Sequence, residues 1–401
     1  MLNRIRILIL VMLTLLCTGC GDSSQGFELK EIYNTDEEYP AQLCWGLNNN
    51  IKRLNDTYYL VEDRKLYYWD AETKTGGIVC SAANCDHNGE YCNGYLGRYG
   101  QDRKSGFNNW DLEVFNNQLY KIGYTWGDVI DFDIYSISLD GSQRTKMGYV
   151  YSKEREDDGG LTWWYDWVMI NGYYYGPMSH VEEEAGLYKI RLDGEKEVVY
   201  DLSKKEKSGI HRIKGAGEYV YFEESWSVNE EYVYNLVRYN TKTNETETIM
   251  ENDFLCDYVV VDDERLIYSD IKGDCYLLDW TTGEEQCLAE EIEDIFALSF
   301  DGKYLFVHIS GDSKDVLAYD LNGNLIDKIA YNSGTVLFGD ENYLFIESSF
   351  EPDSNEYKEY VEEITINKGE GVTMPEQSYL WILDKSQLGN ETKEWMKMEL
   401  E

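Results

Sequence analysis

Four residues whose types and spacing could do chemistry stand together in one short stretch, Cys80-Ser-Ala-Ala-Asn-Cys85-Asp-His87-Asn-Gly-Glu-Tyr-Cys92, a C-x4-C-x-H-x4-C pattern. Three thiols and an imidazole are in kind a tetrahedral zinc set, although the spacing departs from the common C-x2-C knuckles. Cys44 lies upstream and could supply a fourth thiol. Outside the cytoplasm, Cys44, Cys80, Cys85 and Cys92 could instead close as two disulfides, because an oxidising compartment favours them. Both chemistries predict the same job: to staple a long loop that has no core of its own. A structural zinc is the only cofactor suggested, and it stays open against the disulfide alternative.

Elsewhere the signals for chemistry are sparse. The four histidines, His87, His180, His211 and His308, sit on separate segments. No G-x-S-x-G, no H-E-x-x-H, no phosphate-cradling glycine loop and no D-x-[DN]-x-D-G calcium loop occurs, so nucleophile elbows, zinc-protease helices, nucleotide sites and EF-hands find no support. Asp131/Asp133 and Asp157/Asp158 could act as acid and base, but such pairs arise freely among 76 acidic residues, and no catalytic residue is assigned. Trp126, Trp163 and Trp164 lie on or beside long connections, where flat indoles stack on sugar faces or grip a peptide, and are the candidate ligand-binding residues. Trp110 and Trp167 fall on strand positions and read as core. Cys275 and Cys287 flank the turn at 281–284, leaving a cross-strand disulfide and buried free thiols both open.

The elements that must position these residues are hairpins. In 167–175, WVMINGYYY, Asn171-Gly172 can both take φ > 0, as a two-residue type I′ turn demands, between β-branched and aromatic flanks. Counterparts recur at 114–120, 215–221, 260–268, 299–306 and 337–345, each followed by a strand closing on Asp or Asn and a polar turn, such as YSISLDG, YKIRLDG and VLAYDLNG. Two hairpins make four strands, and four strands recurring at about forty residues predict a propeller blade. The expected fold is therefore all-β, a seven-bladed β-propeller of four-stranded antiparallel blades, with six or eight as the neighbouring counts. Blade one is placed at 41–80 with its inner strand around Leu43-Cys44-Trp45. Blades two to seven follow at 107–150, 161–202, 209–250, 253–288, 293–331 and 333–398. The strand-like segment 27–34 is the candidate for closing the ring.

Repeat spacing adds a functional inference. Ile267, Leu305 and Leu344 recur almost evenly, whereas Tyr59, Tyr120, Tyr175 and Tyr221 are spread more widely. The extra residues fall between second and third strands (123–133, 176–186, 223–231, 351–376) and between blades (81–106, 151–160). In a meander those connections emerge on one face and the tight hairpins on the other. The elaborated face is thus the expected binding surface, since binding residues concentrate on variable loops held by a rigid scaffold.

Composition bounds the partners. Against 76 acidic residues stand 36 basic ones, a net charge of −40 over 401 residues. Phosphates would be repelled, which excludes nucleic acid. At the amino terminus Arg4 and Arg6 precede an apolar run, 7–16, too short for a membrane span. With Leu16-Cys17-Thr18-Gly19-Cys20 this resembles a bacterial lipoprotein signal, although Cys17 stands where that signal usually has Leu. The resemblance implies cleavage before Cys20, lipidation of Cys20, residues 1–19 as signal peptide, 20–26 as anchor and flexible tether, and 27–401 as a single propeller domain. The implied location is the cell membrane, facing the extracytoplasmic side.

Taken together, the lipobox at Cys20, the NG-YYY and LY-x-x-x-LDG hairpins and the cysteine loop after blade one resemble a group of β-propeller surface lipoproteins of Gram-positive bacteria related to TolB-like propellers. That resemblance spans nearly the whole chain and implies fold and location, not chemistry. The expected function is a non-enzymatic, membrane-anchored module binding a glycan, peptide or envelope protein through its long-loop face. The alternatives are a propeller hydrolase or lyase acting on polysaccharide and a structural scaffold of the cell envelope. Histidines and carboxylates converging at the inner strands' ends would favour the enzyme.

Overall fold

A computed structural model describes residues 51–400 apart from 63–64, 88–91, 97–104, 108–111, 126–128, 155–166, 179–184, 230, 252–254, 310–314, 332–335, 338–339 and 368–376. The signal, Cys20 and its tether, the 27–34 segment, Cys44, Trp110, Trp126, Trp163 and Trp164 lie outside the described residues.

The local rule is visible in the hairpin singled out above. Asn171 and Gly172 take φ of 52° and 76°, so Ile170 pairs with Tyr173 and Val168 with Tyr175 in antiparallel register. Alternation then turns Tyr174 to one side of the sheet and Tyr175 to the other, and both are buried, because a blade has a neighbour on each face. Repeating this geometry gives seven antiparallel sheets in chain order, a seven-bladed β-propeller. In blade two the innermost position is shared by Ser105–Phe107 and Glu113–Phe115, both paired to Gln118–Thr125.

Seven apolar cores hold the ring, each built by two adjacent blades. Val259, Val261 and Ile267 of blade five meet Leu298, Leu305 and Val307 of blade six; Phe306, Val316 and Tyr331 of blade six meet Leu344, Ile346 and Leu383 of blade seven. The ring closes where Ile51, Tyr58, Leu60 and Trp69 of blade one pack on Phe345, Leu380, Ile382 and Met398 of blade seven. With each large side chain contributing about 2 kcal/mol on full burial, a single blade has no stable core alone. Beside this seam Tyr58 donates to Asp340 at 2.6 Å and Arg53 does so at 2.8 Å.

Two expectations need correction. The inner strand of blade one is Ile51–Leu54, paired to Thr57–Glu62, and not the segment around Leu43-Cys44-Trp45; its charged Lys52 and Arg53 hid it, and they are matched by Glu113 and Asp340. Among the described residues the last blade has four strands from its own segment, ending with Met396–Glu399. In blades two and four the residues assigned to loops at 123–133 and 223–231 are largely paired strand, Gln118–Thr125 with Val129–Ile137 and Tyr219–Val228 with Glu231–Asn240. Extending the ladder satisfies backbone groups that a loop would leave to water.

The rims differ, but not as completely as expected, because the eleven-residue connection from Asp384 to Met396, with a 3-10 turn at Lys385–Gln387, lies on the rim expected to be plain. Two-residue turns join Leu54 to Thr57, Ile170 to Tyr173 and Ala216 to Tyr219. The opposite rim carries the passages from Ile78 to Ser105, Glu154 to Val168, Met178 to Gly186 and Ser348 to Tyr379, together with the tips of the two long arms. The Ser348-to-Tyr379 passage includes a helix, α1 (Asn355–Asn367). Among the described residues no helix is long and apolar enough to cross a membrane.

Candidate metal centre and axial polar cluster

The cysteine loop leaves the outer strand of blade one, Thr75–Ile78, and its two ends are tied down before its middle is reached. Val79 N–H donates to Leu66 O and Leu66 N–H to Gly94 O, both at 2.8 Å. Arg144 of blade two donates to Tyr95 O at 2.8 Å and also to Asn93 O, and Leu96 is sealed into the core between blades one and two. Between these anchors Asn84 and His87 adopt φ of 60° and 55°, turning the chain tightly enough to bring four side chains inward. One ligating atom from each of Cys80, Cys85, His87 and Cys92 lies within 4.8 Å of the others, and His87 Nδ1 is 3.5 Å from Cys92 Sγ.

The electrostatics of the thiols differ. Burial alone would raise Cys80, but the N–H groups of Ala82 and Asn93, with the thiols of Cys85 and Cys92, bring it down to about 7. Burial pushes Cys92 up to about 11, although Gly94 N–H points at its sulfur. All described cysteines are free thiols, so no disulfide joins Cys80, Cys85 and Cys92. Among the described residues these three and His87 assemble as a four-donor set. The residues fit a thiophilic metal, with three sulfurs, one imidazole nitrogen and N–H groups directed at sulfur. The cross-strand pair at Cys275 and Cys287 does not form. A bulge sets Cys275 opposite Ala289 and Cys287 opposite Tyr276, leaving Cys275 buried and Cys287 exposed. Trp167 is buried core, as its strand position predicts, with its ring against Gly176.

A second cluster was not foreseen. The inner strand of blade four, Gly209–Ala216, slips register between His211 and Lys214, and Arg212 takes φ of 49° there. The bulge re-aims these side chains toward the long-connection rim, where the strand begins. Arg212 bonds Glu223 at 2.7 Å, with the carboxylate almost wholly buried. Burial outweighs the attraction of Arg212 and lifts the Glu223 carboxyl to about 7, and its Oε2 is buried with no partner. His211 shares a hydrogen bond with Ser225 at 3.0 Å and is held below its ordinary range by burial and by Arg212. Adjacent Glu224 accepts from Lys205, Tyr200 and Asn235. Lys214 reaches Asp257 of blade five at 3.1 Å, and Asp257 accepts Leu298 N–H of blade six at 2.8 Å. Two ion pairs, Arg212–Glu223 and Lys214–Asp257, thus lie side by side where blades four and five meet, with His211 next to Arg212 in the chain. Asp257 stands 34 residues beyond Glu223 in the sequence, and the bulge between His211 and Lys214 leaves no local signature.

The comparisons with known proteins can now be set beside this geometry. No protein-family model matches the chain, and a comparison with curated sequences finds no significant relative. Solved structures do match. A prolyl endopeptidase aligns with a TM-score of 0.55 at 11% identity, over 93% of this chain and 51% of its own, so the chain spans about half the length of that enzyme. An oligogalacturonate lyase in complex with manganese aligns at 0.46 and 10% identity, over 64% of this chain and 71% of its own. TolB from Acinetobacter baumannii aligns at 0.36 and 12% identity, over 86% and 79%. At 11% identity the prolyl endopeptidase match shows a shared propeller architecture and nothing more specific. This corrects the expectation of a non-enzymatic chain: the prolyl endopeptidase shares the fold, so the propeller gives no ground for excluding catalysis.

Proposed function

We propose that this protein is a lipid-anchored propeller on the extracytoplasmic side of a cell membrane that engages a glycan, peptide or envelope partner through its long-connection rim. The observation that carries this reading is the gathering of most long passages and both extended arms on one rim, while the other is edged mainly by short turns, the eleven-residue connection from Asp384 to Met396 apart. The blade-four arm presents exposed Val228 and Tyr232 at its tip, and Lys205 lies 3.8 Å over the ring of Trp226 beside them. Aromatic and cationic groups on a rigid arm suit an uncharged or acidic ligand. The anchor rests on Cys20.

A glycan and cell-wall-fragment array tests the rim. Binding by the full chain should fall at least tenfold in Trp226→Ala/Tyr232→Ala and stay unchanged in Lys242→Ala on the opposite rim. Equal binding by both variants would remove the rim assignment. Cys20→Ser should release the protein from the membrane fraction; retention there would remove the anchor.

The axial cluster favours a second reading, a hydrolase or lyase in which Glu223 serves as general acid or base. A carboxyl at about 7 is poised for proton transfer at neutral pH. The same shift makes a stability prediction. A carboxyl of higher pKa in the folded chain than in the unfolded one, where 4.5 applies, stabilises folding while protonated. That contribution, about 3 kcal/mol, is complete below pH 4.5 and lost as pH rises through 7. Urea unfolding of Glu223→Gln should show a flatter pH profile across that window. Turnover of a polysaccharide panel that survives this substitution unchanged would dismiss Glu223 from chemistry.

A further inference from the structure

The cysteine loop has been described as a set of donors. We infer that Cys80, Cys85, His87 and Cys92 are the four ligands of a structural zinc ion that holds the loop between blades one and two. The inference is independent of the rim reading and of the axial cluster.

Three observations carry it. Zinc bound by three thiolates and one imidazole has Zn–S near 2.3 Å and Zn–N near 2.0 Å, so tetrahedral angles put neighbouring donors roughly 3.5 to 3.8 Å apart. His87 Nδ1 and Cys92 Sγ stand 3.5 Å apart, and the whole set closes within 4.8 Å, a contraction too small to move the anchored ends. Next, the loop directs backbone N–H groups at sulfur, Ala82 and Asn93 toward Cys80 and Gly94 toward Cys92. Such donors stabilise thiolate rather than thiol, and the outer groups around metal sites supply this kind of support. Finally, the set is complete and partly buried, with four protein donors and no position left for water, which is the form of a structural zinc site rather than a catalytic one. Thiolate-rich donors select zinc or copper(I) over magnesium and calcium. With His87 ligating through Nδ1, its Nε2–H is left to solvent or loop carbonyls.

The site also explains why the loop needs a cross-link. Residues 80–87 run from exposed to half-buried, and among the described residues farther along Cys92, Gly94 and Leu96 are buried. Four bonds to one ion replace the apolar contacts that this segment lacks.

The experiment uses the full chain purified without chelator. Elemental analysis should give one zinc per chain, and exchange with Co2+ should produce the sulfur-to-cobalt charge-transfer band and intense visible transitions of a tetrahedral thiolate site. Cys85→Ser and His87→Ala should each lose stoichiometric zinc, while Cys287→Ser, an exposed thiol on blade five, should keep it. Because a ligand variant could fail to fold, the wild-type metal content stands as the independent measurement. A metal-free chain whose non-reduced mass shows disulfides among these cysteines would overturn the proposal. So would one equivalent of iron or copper, or zinc retained by both ligand variants.

Discussion

Two long excursions rise from the same rim, and they are held by opposite means. The insertion after Ser348 in blade seven builds its own secondary structure. Ser354 caps α1 by accepting Tyr357 N–H at 3.1 Å, and Tyr357 is buried against Phe350 with its hydroxyl donating to Tyr331 O. Asp353 accepts Ala330 N–H at 2.8 Å, returns its own N–H to Ala330 O at 2.9 Å and faces Lys393. The passage after blade one builds no helix or strand among its residues 80–87 and gathers three sulfurs and an imidazole instead. The difference teaches what a propeller requires of an insertion. An excursion with aromatic residues at helical spacing extends the core of the ring, whereas one made of small and polar residues needs a cross-link.

That contrast can be broken from either side. The largest effect is expected for Tyr357→Ala, which removes a buried ring and its hydrogen bond and should cost about 3 to 4 kcal/mol in urea unfolding. A loss below about 1 kcal/mol would show α1 to be laid on the ring rather than built into it. Asp353→Ala, which orphans Ala330 N–H, should cost about 2 kcal/mol in the same assay. A global change that depends on free zinc is expected when the cysteine loop is opened by Cys85→Ser: with excess chelator present the variant and the parent should unfold within about 1 kcal/mol of each other, because little apolar area is at stake there. Limited proteolysis should nonetheless cut within 80–91 at least tenfold faster in that variant. If the loop survived uncut while global stability fell by several kcal/mol, the two excursions would be the same kind of structure after all.

Much of this molecule could be read before any coordinates existed. Asn171-Gly172 announced a type I′ turn because only a few residue types accept positive φ, and tyrosine-rich alternation announced strands buried on both faces. The C-x4-C-x-H-x4-C spacing named all four members of the candidate metal centre. Where reading failed, charge and spacing misled it. Lys52 and Arg53 made an inner strand look like a loop, because their partners Glu113 and Asp340 come from other blades. Uneven repeat spacing made 123–133 read as a loop, although Gly123 to Thr125 pair with Asp131 to Asp133 and Asp133 is matched by Lys146.

What the sequence by itself determined is what neighbours along the chain decide: turn type, strand alternation, repeat length, the uneven sharing of long connections and the donor set after blade one. The tertiary structure alone decided which distant residues meet. Ring closure through Tyr58, Arg53 and Asp340, and the meeting of Arg212 and Glu223 with Lys214 and Asp257, depend on a register slip and on blade packing. The physical reason is that positive-φ preferences and period-two patterning are local energies, whereas a buried carboxylate near pH 7 exists only once several blades have excluded water around it.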